Sequence, residues 1–113
     1  MEIIDWAREF PAAVTVCDPQ GTILYMNAKS EATFQADGGA NLLGKSLLDC
    51  HSNASNQKIA EMMETRQANI YTIEKRGVKK LIYQSPWYQD GQFAGLVEIS
   101  MEIPFEMPHF IRD

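Results

Sequence analysis

Cys50 and His51 stand side by side in a chain with one other cysteine, Cys17, and one other histidine, His109. Thiolate and imidazole are both ligands for iron, copper or zinc. Adjacent residues rarely aim at one metal, however, and no second ligand pair stands nearby in sequence. The plainer role is a loop or capping histidine beside a buried thiol. Cys17 and Cys50 form no CxxC pair, which fits free thiols in a reducing compartment. Glu98 and Glu102 lie at even spacing on a strand pattern and read as a solvent-facing edge. No HExxH, P-loop or nucleophile elbow occurs. The expectation is a protein that is not an enzyme.

Four residues suit a binding site. Gln84 is the one uncharged hydrogen-bonding side chain among apolar neighbours on its strand face, and a buried amide needs a partner. That partner is a backbone group or a ligand, and the Tyr71 hydroxyl can serve the same end. Met62 and Met63 are adaptable filler, compatible with a pocket of irregular shape.

The element that must position these groups is KKLIYQSPWYQDGQFAGLVEIS, Lys79 to Ser100. Asp90-Gly91 between β-formers is a strong hairpin signal. With Tyr88 opposite Phe93, parity assigns two faces. One carries Ile82, Gln84, Val97 and Ile99, and the other Leu81, Tyr83, Trp87, Leu96 and Glu98. A change of parity in the turn would flip one strand. The first face holds no Asp or Glu, which denies a small α+β cone enzyme its cavity acid. Tyr71 and Ile73, on a third strand from Ile70 to Lys75, join the Gln84 face, and Glu74 pairs with Lys79.

The remaining elements must cover both faces. Ile3, Trp6 and Phe10 make an apolar stripe that ends at Pro11, so residues 2–10 read as a short helix. Its natural seat is the Tyr83/Trp87/Leu96 face. Residues 13–17 and 22–26 read as strands around the Asp18-Pro-Gln-Gly21 turn. Asn27 caps a helix to about Phe34. Asp37-Gly38-Gly39 reads as a flexible loop, with a helical turn expected after Gly44. Ile59, Met62, Met63 and Arg66 mark one face of a helix over 55–67. Pro104 and Pro108 bar regular structure in the tail. The expected fold is α+β: a five-stranded antiparallel sheet with short helices on one face and the N-terminal helix on the other. The division is an N-terminal helix over 1–12, one domain over 13–103 and a tail over 104–113.

The 113 residues fit one domain, and a hydrophobic share of 45% supplies a core. A net charge of −5 argues against nucleic-acid binding, which needs a basic surface. No apolar run reaches the roughly 20 residues of a membrane span. The N-terminus lacks a signal-peptide pattern. The expected location is the cytoplasm, with no membrane partner.

In this order the motifs resemble a PAS domain over nearly the whole chain. AVTVCDPQGTILYMNAKSEATF resembles the opening strand, turn, strand, Asn and helix. LLGKSLLDCH resembles the Gly before a short helix, and WYQDGQFAGLVEIS the last hairpin. LLDCH also resembles a bacterial subgroup with Cys-His-Pro, although Ser52 stands in the place of that Pro. The tail has Met101-Glu102-Ile103-Pro104 where many relatives lead into a coiled-coil linker. The resemblance implies a bacterial sensory module that binds a small molecule, signals to an effector protein, or forms a homodimer. The pocket candidates are Gln84, Tyr71, Met62, Met63, Ile73, Ile82, Val97, Ile99 and Cys50. The interface candidates are Ile3, Trp6, Phe10, Leu81, Tyr83, Trp87 and Leu96. Two alternatives stand beside it: a ligand-free dimerisation module, and a haem-based redox or gas sensor with His51 as axial ligand. Flavin is not expected, because nothing resembles the Asn-Cys-Arg-Phe-Leu-Gln motif.

Overall fold

The computed structural model describes residues 4–47 and 53–113, with Asn53 described by its backbone alone. Cys50, His51 and Ile3 therefore lie outside the described residues, as do residues 48–50 of the segment in which a helical turn is expected after Gly44. Five antiparallel strands form one sheet: β1 (Ala13–Cys17), β2 (Ile23–Met26), β3 (Asn69–Lys75), β4 (Val78–Gln89) and β5 (Gln92–Ile103). Their spatial order is β2-β1-β5-β4-β3. Helix α1 (Ala28–Thr33), two 3-10 turns (Gln35–Asp37 and Gly39–Leu42) and helix α2 (Asn53–Thr65) come between β2 and β3. This is the expected α+β order.

Local chemistry explains each junction. Asp18 builds the β1–β2 turn: its Oδ1 accepts from the Gln20 and Thr22 amides, each at 2.9 Å. Its carbonyl accepts from Gly21 at 3.0 Å. Asn27 caps α1, accepting from the Ser30 amide at 2.9 Å. The stretch expected as a flexible loop is instead the pair of 3-10 turns, joined at Gly38 (φ 123°). Residues 44–47 then run back along β2, where Ile23 donates to the Lys45 carbonyl and Gly44 to the Ile23 carbonyl, both at 2.8 Å. Arg66 ends α2 in the left-handed conformation (φ 59°), with its guanidinium 4.4 Å over the Phe93 ring. It closes the helix rather than extending its apolar face. Asp90 and Gly91 both have positive φ (52° and 78°), the requirement of the tight hairpin turn whose twist matches the strands.

The faces of β5 differ from simple alternation. Tyr88 does pair with Phe93, but Trp87 pairs with Gly95, which leaves Ala94 without a partner on β4. This β-bulge shifts parity from Gly95 onward. Leu96 and Glu98 sit opposite Pro86 and Gln84, while Val97 and Ile99 sit opposite Ser85 and Tyr83. Paired residues share a face. The expected assignments of Leu96, Glu98, Val97 and Ile99 are thus all reversed. Gly95 shows why the bulge sits here. Its φ is +132°, and a Cβ would collide with the carbonyl of Cys17 on β1.

The core faces the helices. Cys17, Ile59, Met62 and Leu96 form one buried cluster, and Ile23, Met26 and Leu42 a second. Leu47 packs against both. The N-terminal stretch is not a helix over its described residues: Trp6–Glu9 form turns. Nor does it cover the Tyr83/Trp87 face. Ala28 donates to the Arg8 carbonyl at 2.9 Å, and Arg8 donates to the Met26 carbonyl and pairs with Glu31 at 2.6 Å. The stretch is held at the β2–α1 corner, leaving Trp6 63% and Phe10 41% exposed. A nine-residue stripe cannot hold a helix without a surface, and polar anchors to the corner dictate its path instead.

Candidate functional site

Between the two core clusters lies a cavity of about 50 Å³, lined mainly by their members and by Phe34. At roughly 10–15 Å³ per water it has room for about three to five waters, or a few heavy atoms of a small molecule. Sheet residues form its floor: Cys17, Ile23 and Met26 from β1 and β2, Leu96 and Glu98 from β5, Gln84 from β4. Ile59 and Met62 of α2 and Leu42 of the second 3-10 turn face them. Ile59 and Met62 stand one turn apart on α2, so the helix offers a single apolar strip to the sheet.

One side of the floor is polar. Gln84 donates to Glu98 at 2.7 Å and accepts from Asn69 at 2.8 Å, so three strands supply one chain of side-chain bonds. Across the sheet, Thr15 pairs in register with Glu98. The buried Thr15 hydroxyl shares a hydrogen bond with that of Ser30 on α1. Gln84 is therefore satisfied by side chains, not by a helical backbone group. Glu98 overturns the expectation that no acid faces the pocket: the bulge brings it there.

Asn27 braces the same end of the floor. It is fully buried; its Oδ1 accepts from Val14 and Ser30, and its Nδ2 donates to the Ala7 and Ala12 carbonyls at 2.8 and 2.7 Å. Burial pushes the Cys17 thiol up, partly offset by the Leu96 backbone hydrogen bond. The Tyr71 phenol is also raised, first by desolvation and then by the Glu98 charge. Its hydroxyl stays protonated through neutral pH.

Of the pocket candidates, Gln84, Met62 and Val97 line the cavity. Val97 does so although its register points its side chain to the far face. Ile82 is buried on the cavity side of the sheet, and Met63 packs against the Cys17 cluster. Tyr71 and Ile73 lie on the edge strand, 42% and 38% exposed, away from the lining. Ile99 pairs with Val14 and Tyr83 on the outer face.

Of the interface candidates, Leu81, Tyr83 and Trp87 share the outer face, with Trp87 Nε1 donating to the Cys17 carbonyl at 3.0 Å. Leu96 belongs to the core, and Trp6 and Phe10 lie at the β2–α1 corner. No histidine is in the lining among the described residues, and His109 is exposed on the tail. Among those residues, no group of three His, Cys, Asp or Glu could hold a metal.

Sequence reasoning missed Glu98 and Thr15 as floor residues. A glycine inside a strand pattern is a bulge signal, and Gly95 offered it. The Thr15–Ser30 contact had no local signal, since it joins positions 15 residues apart.

The architecture is shared with solved structures. A sensory-box sensor histidine kinase from Vibrio cholerae is similar at TM-score 0.64 and 13% identity, over 83% of each chain. The PAS domain of BvgS from Bordetella pertussis matches at 0.61 and 20% identity, over 86% of this chain and 80% of that one. The Aer2 receptor from Vibrio cholerae, described as a dual PAS-haem oxygen sensor, matches at 0.60 and 16%, over 82% and 95%. No curated protein matches in sequence. The family model for the PAS fold matches residues 8–103, and with the strand order and the helical segment before β3 this shows that the chain belongs to the PAS fold family.

Proposed function

We propose that the chain is a sensory module that binds a small, largely apolar molecule between α2 and the sheet and passes the change to a partner protein. The observation that carries this is the split core. A close-packed interior would merge the two clusters, yet a cavity with one polar side separates them. Sensor proteins among the structural relatives support the signalling half of the reading. The polar side supports binding rather than catalysis, because Glu98 is held by the Gln84 amide, a group that orients without transferring protons. Alternate residues of β5 face the cavity (Leu96, Glu98) and the outer face (Val97, Ile99), so one strand touches both ligand and partner surface. A ligand shifts this strand only by binding its two states with different affinity.

Native mass spectrometry of the unheated protein tests the reading, together with a thermal-shift screen of small apolar compounds. The expected result is a retained or stabilising compound whose effect disappears in Met62→Trp, which fills the cavity. A protein that retains nothing and responds to no compound overturns it.

A second reading, homodimerisation, is favoured by the outer face. The bulge adds Val97 and Ile99 to Val16, Leu81 and Tyr83 there, and Tyr83 is 41% exposed. Apolar sheet faces of this kind mark association sites. Light scattering should show a dimer that Tyr83→Lys with Ile99→Lys dissociates; a dimer that survives both changes places the interface elsewhere. The haem alternative turns on His51. A purified protein that shows no Soret band after incubation with hemin removes it.

A further inference from the structure

Among the described residues the cavity lining is apolar except for Thr15, Gln84 and Glu98, and Glu98 is the charged group. Its carboxylate is held rather than loose. Oε2 accepts from Gln84 Nε2 at 2.7 Å, and Gln84 is itself held by Asn69 at 2.8 Å, so the amide cannot rotate away without breaking both bonds. Glu98 has no hydrogen-bond partner besides Gln84 among the described residues, which leaves Oε1 as acceptor capacity. The Thr15 hydroxyl next to it is engaged by Ser30. No cationic side chain lines the cavity among the described residues to neutralise the carboxylate. The single neutral donor from Gln84 leaves the charge itself unpaired, and a half-buried charge gains from a cationic partner. We infer that the molecule bound here carries a hydrogen-bond-donating, positively charged head, such as an ammonium or amidinium, on a small apolar body. The head meets Glu98 Oε1, and the body lies among Cys17, Ile59, Met62 and Leu96. An anionic ligand is rejected, because it would bring a second negative charge against Glu98 with no compensating donor. This inference rests on the ligand-binding reading and adds the ligand's class.

The test compares three probes of one skeleton, n-butylammonium, 1-butanol and butyrate, by amide chemical-shift titration at constant ionic strength. The intact protein should bind the ammonium about tenfold more tightly than butyrate, with shifts at Cys17, Leu96 and Glu98. In Glu98→Gln the ammonium should lose about tenfold while 1-butanol is unchanged. Met62→Trp keeps the surface charge but fills the cavity, and it should abolish the ammonium shifts. Equal binding of all three probes, or a preference for butyrate, overturns the charged-head inference and leaves the cavity reading standing. Binding of none overturns both. An ammonium preference that persists in Glu98→Gln assigns the wrong group. Should that variant not fold, the ranking in the intact protein still decides.

Discussion

At the scale of single residues, the burial of polar groups matters most. Asn27 is buried completely and uses both ends of its amide, tying β1, α1 and the N-terminal stretch together. Asn27→Ala strands two backbone N–H donors and two carbonyls inside the protein. Each buried orphan costs about 1–3 kcal/mol, so a loss of roughly 3–5 kcal/mol is expected after partial relaxation. A urea melt measures it, and a loss under 1 kcal/mol would mean that water replaces the side chain. Cys17 supplies a pH test. The residue is 1% exposed, and the pKa of its thiol lies above the ordinary value of 9.0 because of burial. Between about pH 9 and the higher folded value, the unfolded chain has lost this proton and the folded one has kept it. Stability from this group is complete below pH 9 and is lost as pH rises, by at most about 1.4 kcal/mol per pH unit. Comparing the native chain with Cys17→Ala in denaturant melts from pH 8 to 11 isolates it. The gap between the two curves should change above pH 9 and stay constant below.

At the scale of elements, the bulge in β5 decides which side chains reach the cavity. Gly95 occupies a conformation that L-residues avoid, and its Cα lies against the Cys17 backbone. Gly95→Ala combines backbone strain with a collision against main chain that cannot move aside. A loss of about 3 kcal/mol or more is expected, read as a lowered denaturation midpoint or failure to fold. A near-neutral substitution would show that β5 can drop the bulge. Ala94 makes a useful control, since it has no partner on β4 and should tolerate Ser with little change. Elements built on local signals came out as read: the Asp18 turn, the Asn27 cap, the Asp90-Gly91 hairpin and the Glu74–Lys79 pair. The N-terminal stripe did not, because apolar spacing describes a helix only once a surface holds it. Here the hydrogen bonds of Arg8 and Asn27 fix the path of the stretch.

At the scale of the whole molecule, the sheet divides two environments. On one side a cavity separates two apolar clusters, and on the other lies an apolar face that includes the exposed Tyr83 ring. Ligand that binds only the folded chain stabilises it by mass action. At about a hundred times Kd this amounts to about 2.7 kcal/mol, or roughly 10 °C in Tm for a domain of this size. Differential scanning calorimetry should show that shift in the native chain and lose it in Met62→Trp.

Local signals in the chain set the order of its strands, its turns and its caps. Those features follow from periodicity and from residues whose backbone preferences act over a few positions. Tertiary structure alone decided that Glu98 and Leu96 face inward while Val97 and Ile99 face outward. The physical reason is the close crossing of β1 at Gly95: the Cys17 carbonyl leaves no room for a side chain, β5 takes up one extra residue, and every position after it changes sides.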